Sequence, residues 1–262
     1  MLIILSPAKS LDFESAPETS VCTKPDFLKF SDQLIRGLSN LSIEEIGALM
    51  SLSPKLSLLN HERFQAWSKM HNNQNSKQAL LAFKGEVYEG LKAREFSKVD
   101  FEFAQNKLRI LSGLYGVLRP LDLIQPYRLE MGTVYPNPAG KDLYAFWGNT
   151  LAESLNKDMA KSSKKILINL ASVEYSKAAK LNSLDAEIIS PVFKDESKGK
   201  FKIVSFYAKR ARGMMAKFLI TNRVENPDEI KAFNESGYQF CDQESTDISP
   251  VFKRSEKRKL AA

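Results

Sequence analysis

Two short apolar runs constrain the fold of this chain most strongly. They are Leu2–Leu5 (LIIL) and residues 166–171 (ILINLA), and no charged residue interrupts either of them. Runs of this length between polar turns are typical of strands that are buried on both faces of a sheet. Polar turns follow both runs, with the sequences SPAK at 6–9 and SVEY at 172–175. Because turns at the carboxyl ends of strands are common ligand positions in α/β folds, both turns are candidate parts of a site.

The remaining pattern predicts a mixed α+β protein of the α/β type. Apolar residues recur at helical spacing between 27 and 111, and strand-like stretches return after residue 187. The sequence shows no tandem repeat, low-complexity block or linker. We expect a single intertwined domain over residues 1–253, with a mixed sheet and several helices. A basic, disordered tail is expected over residues 254–262, as a solvated end rather than a specific contact.

Composition points to a cytoplasmic protein that does not enter the membrane. No apolar run approaches the ~20 residues of a membrane helix, and the first ten residues lack the basic region of a signal peptide. Cys22 and Cys241 are far apart, without metal-type spacing, which fits a reducing compartment. The sequence does not decide the oligomeric state, although a monomer is slightly favoured.

Residues 108–131 (LRILSGLYGVLRPLDLIQPYRLEM) combine side chains with unlike roles. Leucines and tyrosines alternate with arginines, carboxylates, glycines and prolines, as expected of a ligand-facing loop on a rigid scaffold. Helical spacing over residues 101–111, followed by Gly113 and Gly116, indicates a helix–hairpin–helix element. Its glycines would let backbone N–H groups approach a phosphate. An ordinary turn between two helices is the alternative.

Positive charge is moderate and unevenly distributed. Lys and Arg total 38 against 31 acids, which gives a net charge of +7. This excess permits a polyanionic partner without requiring one. A predicted helix over residues 209–223 carries a basic face with Lys209 and Arg212, for which a merely solvated face is the alternative. Two further ambiguities remain open: Lys84 is a ligand contact or part of a helix end, and Glu174 is a site group or a helix-terminal acid.

The sequence resembles the YaaA family of bacterial cytoplasmic proteins, which are associated with resistance to hydrogen peroxide. The resemblance extends from Met1 to about Lys253. It rests on long ordered motifs: LIILSPAKSLDF at 2–13, LAFKGEVYEGL at 81–91, LRILSGLYGVLRPLDLIQPYRLEMG at 108–132, KDLYAFWG at 141–148, INLASVEY at 168–175 and KFKIVSFYAKRARGMMAKF at 200–218. Val173 departs from the pattern, where an acid or a small polar residue is expected.

The resemblance implies an α/β fold of its own kind with a basic cleft and a helix–hairpin–helix element. It also implies DNA binding without strong sequence preference, and a role in limiting oxidative DNA damage linked to unincorporated iron. Two histidines and two scattered cysteines predict no metal centre and no cofactor of the protein's own. Any effect on iron is therefore expected to be indirect.

Two functions remain in competition. The first is binding of duplex or branched DNA, in which cationic side chains line a cleft, tyrosines stack on unpaired bases and glycines approach phosphates. The residues expected to bind nucleic acid are Lys9, Lys84, Gly113, Tyr115, Gly116, Arg119, Tyr127, Arg128, Lys209, Arg210 and Arg212, with Tyr175 as a further stacking candidate.

The second function is an enzyme acting on a nucleic-acid base or nucleotide. A buried lysine would be the nucleophile and a carboxylate the acid or base. The catalytic candidates are Lys9, Glu130, Glu174 and Lys209, with Ser6 in the same pocket. Geometry separates the two functions, because an enzyme predicts a closed pocket whereas plain DNA binding predicts an open groove.

Overall fold

The computed structural model describes residues 1–160 and 164–260. Strands and short helices alternate along the chain. The strands are β1 (Leu2–Leu5), β2 (Ser10–Leu11), β3 (Lys77–Gln78), β4 (Phe83–Lys84), β5 (Leu108–Ser112), β6 (Gly116–Leu118), β7 (Leu123–Ile124), β8 (Ile166–Leu170), β9 (Glu187–Ile189), β10 (Val192–Ser197), β11 (Lys200–Lys202), β12 (Gln239–Phe240) and β13 (Val251–Arg254).

The helices vary from one to almost five turns. They are α1 (Leu28–Leu38), α2 (Ile43–Met50), α3 (Pro54–Ala66), α4 (Ala79–Ala82), α5 (Glu86–Leu91), α6 (Lys98–Lys107), α7 (Leu143–Trp147), α8 (Thr150–Met159), α9 (Val173–Ala178), α10 (Ser205–Thr221) and α11 (Glu256–Leu260). The predicted mixed α+β fold is confirmed. No helix in the described ranges is long and apolar enough to cross a membrane.

The two apolar runs form neighbouring strands at the centre of the main sheet. The strand order is β6-β5-β1-β8-β9, in which β5, β1, β8 and β9 are parallel and β6 is antiparallel. Every residue of β1 is buried, which explains why no polar residue interrupts that run. Since Leu5 pairs with Leu170, the two polar turns that follow these strands emerge side by side at one sheet edge.

A second sheet of mixed direction has the order β11-β10-β13-β12. Arg254, at the end of β13, is buried and forms an ion pair of 2.7 Å with the buried carboxylate of Asp195. Residues 256–260 continue as α11. Arg254 is therefore part of the sheet rather than of a solvated end, whereas the disorder expected of the remaining tail stays a prediction. Residues 261–262 of the predicted tail lie outside the described residues, and the domain limits stay a prediction.

The predicted helix–hairpin–helix element is replaced by a β-hairpin. Helix α6 ends at Lys107, and Leu108–Ser112 runs as β5 between β1 and β6. Strand β5 is buried along its whole length. Its leucines have the spacing of a helix, but they fit equally well in a strand that is buried on both faces. The turn of this hairpin contains Gly113, and β6 begins at Gly116.

Helices α5 and α10 cross with their backbones in contact. A Cβ atom at Gly90 would lie 2.1 Å from the Arg210 carbonyl oxygen, and one at Gly213 would lie 1.8 Å from the Val87 carbonyl oxygen. Real side chains do not approach a backbone atom this closely, so both positions require glycine. The contact fixes α5 against the first half of α10.

We predict that Gly213→Ala destabilises the protein by about 3 kcal/mol, because the added methyl group must separate two backbones. Denaturant unfolding would measure the change. Ser205→Ala, at an exposed position of the same helix, is the control and should alter the free energy of unfolding by no more than about 0.5 kcal/mol. An unchanged stability of the Gly213 variant would contradict the close crossing.

Candidate functional site

A cavity of about 440 Å³ opens where the polar turns after β1 and β8 meet. Strand β4, the start of α5, residues 127–130, the start of α9 and the first turns of α10 complete its walls. Most of the lining residues carry a charged, hydroxyl or phenol group. The polar lining residues are Ser6, Lys9, Ser10, Lys84, Glu86, Tyr127, Arg128, Glu130, Ser172, Glu174, Tyr175, Lys209 and Arg212.

The floor of the cavity is set by the two strand ends. The Ser172 backbone N–H donates to Ser6 Oγ at 2.8 Å, and Ser6 Oγ is 3.3 Å from Ser172 Oγ. The Tyr88 hydroxyl donates to the Ser6 carbonyl oxygen at 3.0 Å. These bonds join the two turns that the sequence placed after buried strands, so the predicted site at this sheet edge has a physical basis.

A short β-ribbon brings Lys9 close to Lys84. In the antiparallel pair β2–β4, Ser10 is opposite Lys84. Gly85 follows with φ of +155° and ψ of 179°, a conformation that favours glycine, and a Cβ there would be 3.4 Å from the Ala8 methyl group. The Lys84–Gly85 step therefore borders the ligand cavity at the start of α5, and is not a helix C-terminus.

Glu130 is held between two cations. Its Oε2 is 2.6 Å from Lys9 Nζ, and its Oε1 accepts from Arg128 at 3.0 Å. Burial alone would raise the pKa of Glu130, but the hydrogen bonds from Lys9 and Arg128 outweigh that effect and lower the pKa. This carboxylate remains charged and anchors both basic groups at the mouth of the cavity. Lys9 has 63% of its side chain exposed, so the predicted buried lysine nucleophile is not found there.

Glu174 joins α9 to the segment after Glu130. Its Oε1 accepts from the Gly132 backbone N–H at 2.7 Å. The neighbouring Tyr175 hydroxyl accepts from the Met131 N–H at 3.4 Å. Glu174 lies in the first turn of α9 and also lines the cavity, so both interpretations that the sequence left open agree with its position.

Helix α10 supplies the opposite, basic wall. Lys209 and Arg212 both line the cavity. In the described part of the chain, the pocket's ion pairs involve Lys9 and Arg128, whereas Lys84, Lys209 and Arg212 form none. Burial lowers the pKa of the Arg212 guanidinium, as expected of a cation withdrawn from water without a carboxylate beside it. These three cations are available to an anionic ligand.

Tyrosine rings form the deep wall. Burial raises the pKa of Tyr88, Tyr127 and Tyr175, so the three phenols remain neutral and act through hydrogen bonds. The Tyr127 hydroxyl is 2.7 Å from Ser112 Oγ. Tyr127 and Tyr175 therefore reach the cavity as predicted, but as parts of a packed wall rather than as free stacking platforms.

Some predicted nucleic-acid contacts have structural roles instead. Tyr115 is completely buried, and its hydroxyl accepts from Trp67 Nε1 at 2.9 Å and from the Gln125 N–H at 3.0 Å. A Cβ at Gly113 would lie 2.3 Å from the Leu129 carbonyl oxygen, and one at Gly116 would lie 2.7 Å from the Trp147 ring. Tyr115 cannot stack on a base, and both glycines serve internal packing rather than phosphate approach.

Arg119 and Arg210 lie outside the cavity. Arg119 forms an ion pair of 2.9 Å with the buried carboxylate of Asp122 and donates to the Lys24 carbonyl oxygen at 2.7 Å. The positive charge of Arg119 thus compensates the buried carboxylate of Asp122. Arg210 lines a separate cavity with Asp12 and Glu95. The single basic cleft predicted from the sequence is corrected to a smaller group of Lys9, Lys84, Arg128, Lys209 and Arg212.

Glu86 was missed by the sequence reasoning. It is the first residue of α5 and lines the cavity. Its Oε2 is buried and has no hydrogen-bond partner among residues 1–160 and 164–260. No spacing signal marked it, because a glutamate after Lys-Gly is common on a helix surface. No cluster of three or more His, Cys, Asp or Glu side chains within residues 1–160 and 164–260 could hold a metal ion.

The lowered pKa of Glu130 gives a pH-dependent stability. Because the folded pKa lies below the ordinary value of 4.5, the stabilisation is present above that value and is lost as pH falls through the folded pKa. We predict that Glu130→Gln lowers the free energy of unfolding at neutral pH, and that this deficit shrinks with acidification. Denaturant unfolding as a function of pH measures it. Glu153→Gln, at an exposed helical position, is the control, and a deficit independent of pH would contradict the ion-pair role.

Comparison with known proteins assigns this chain to a family. A family model described as peroxide stress protein YaaA matches residues 1–244. A protein of Dechloromonas aromatica (strain RCB), named as a UPF0246 protein, is 52% identical over 256 residues, which cover 98% of this chain and 100% of that relative. Both matches cover most of the chain, and the relative is far above the identity at which unrelated proteins are found. The chain therefore belongs to the peroxide stress protein YaaA family.

Proposed function

We propose that the protein binds DNA in the cytoplasm during peroxide stress and that its cavity accepts one unpaired nucleotide of that DNA. The observation that carries the proposal is the convergence of Lys84, Lys209 and Arg212, without carboxylate partners in the described residues, on a cavity of about 440 Å³. A volume of this order is typical of small-molecule and cofactor sites. Cations of this kind bind phosphate oxygens and release counterions from the nucleic acid.

The concave shape of the cavity favours a nucleotide unit over the uniform backbone of a duplex. A duplex binder needs cations spread along a surface, whereas here Lys84, Lys209 and Arg212 line one cavity, with the side chains of Lys84 and Lys209 exposed to an incoming ligand. Bound protein would limit oxidative damage by covering exposed bases. In this proposal any lowering of free iron is an indirect result.

We predict that the protein binds single-stranded DNA, and duplex DNA with one unpaired nucleotide, more tightly than fully matched duplex DNA. The affinity should fall steeply with salt, since each phosphate contact on a single strand contributes a slope of about −0.7 in log K against log salt. Fluorescence anisotropy with labelled oligonucleotides measures both effects.

Matched charge reversals test the site itself. Lys209→Glu should weaken binding about tenfold and reduce the salt slope by roughly one contact. Lys55→Glu makes the same change in net charge at an exposed position of α3 and should have a small effect. Equal losses for the two variants would show that binding is not located at the cavity.

A second candidate is an enzyme that acts on the bound base or nucleotide. It is favoured by the meeting of Lys9, Glu130, Glu174 and Lys209 in one cavity, since both acids and bases in one place exceed what backbone binding needs. Either carboxylate could accept a proton there. Because the Lys9 side chain is largely exposed, burial does not activate this lysine as a nucleophile.

We predict for this candidate that the wild-type protein releases a base or cleaved nucleotide from oligonucleotides, and that Glu174→Gln reduces the rate at least about a hundredfold, the typical contribution of a general acid or base. Chromatography with mass spectrometry identifies the product. Glutamine retains an oxygen that can accept from Gly132, so the fold is preserved. Unchanged substrate after long incubation with wild-type protein would leave binding as the function.

A further inference from the structure

One carboxylate oxygen of Glu86, Oε2, is buried without a hydrogen-bond donor from the described residues. Buried carboxylate oxygens normally have donors, because the loss of hydration is costly without them. Glu86 nevertheless sits in a wall rich in cations, none of which it engages. The side chain of Glu86 is half-exposed and lines the cavity, so a donor on a ligand in the cavity can reach the accessible side of this carboxylate.

The surroundings of Glu86 are rigid. Gly85 precedes it in a conformation that favours glycine, beside the Ala8 methyl group. The rest of α5 is held against α10 by the backbone contacts of Gly90 and Gly213. The backbone that carries Glu86 is therefore fixed beside a cavity that Lys209 and Arg212 also line. Glu86 thus offers a hydrogen-bond acceptor among the cationic donors Lys84, Lys209 and Arg212.

A ligand that satisfies both the carboxylate and the cations carries an anion and an N–H donor. An ionised carboxylate can only accept hydrogen bonds. Among nucleotides, guanine presents two adjacent donors, its ring N–H and its 2-amino group, to a carboxylate. Thymine presents one N–H between two carbonyl oxygens, which a carboxylate repels. The phosphate of either nucleotide would be bound by the cations.

We propose that Glu86 selects the base, by accepting hydrogen bonds from a guanine nucleotide whose phosphate is bound by the cations of the cavity. The inference rests on the proposed function and deepens it. The nucleotide is either free or an unpaired residue of DNA, which share this chemistry. Contacts to phosphates elsewhere on the DNA remain independent of sequence, so selection is confined to the one residue that enters.

Titration calorimetry with dGMP, dIMP and dTMP tests the inference on the full chain. We expect wild-type protein to bind dGMP at least about tenfold more tightly than dTMP, as a hydrogen bond to a charged group implies. The analogue dIMP, which lacks the 2-amino group, should lie between them. Glu86→Gln should weaken dGMP binding at least about tenfold and leave dTMP nearly unchanged. Glu89→Gln, an exposed position on the same helix, is the matched control.

Two further measurements separate the possible outcomes. Glu86→Gln should not lower the thermal midpoint of the free protein, since the lost oxygen has no partner there, whereas a structural role would lower it. Oligonucleotides with one unpaired guanine or thymine identify the DNA source of the ligand. Equal binding of dGMP and dTMP, unaffected by Glu86→Gln, would overturn the base selection while leaving nucleotide binding intact. Failure of every nucleotide and oligonucleotide to bind would overturn the proposed function together with the inference.

Discussion

The close crossing of α5 and α10 is the constraint on which the rest of the site depends. Glycines at 90 and 213 let the two backbones touch, and no pair of larger residues would permit the same distance. The crossing sets Glu86 opposite Lys209 and Arg212, although about 120 residues separate them in sequence. A fixed spacing between acceptors and cations is what allows a cavity, rather than a mobile surface, to distinguish one ligand from another.

The parallel sheet positions the side of the cavity formed by the ends of β1 and β8. Because Leu5 and Leu170 are in register, the hydroxyl groups of Ser6 and Ser172 meet without any loop having to reach across the molecule. Residues 127–132 then cover this edge, with Glu130 and the Gly132 N–H each bonded to a neighbouring element. Backbone and side-chain hydrogen bonds therefore tie irregular segments of the site to the regular elements around them, which limits its rearrangement.

Sequence reasoning was successful where a residue followed a buried strand. The uninterrupted apolar runs gave β1 and β8, and the polar turns after them led to Lys9 and Glu174 in one cavity. It was wrong at β5, because leucines with helical spacing also fit a strand buried on both faces. Asp122, three residues after Arg119, was a visible sign of a local ion pair. The roles of Gly113 and Gly116 depend on Leu129 and Trp147, distant partners that no local pattern reveals.

Glu130 acts as a resident anion of the cavity. An incoming ligand that approaches Lys9 finds this cation already neutralised by a carboxylate at 2.6 Å. A monovalent ion such as chloride or acetate gains little by replacing a group of equal charge that is tethered in place. A terminal phosphate dianion gains more, because it brings a second charge and more acceptor oxygens, whereas a phosphodiester within DNA carries one charge. At Lys9 a phosphodiester would therefore exchange one anion for another, and the net gain in ion pairing would come from Lys84, Lys209 and Arg212, which have no carboxylate partner in the described residues.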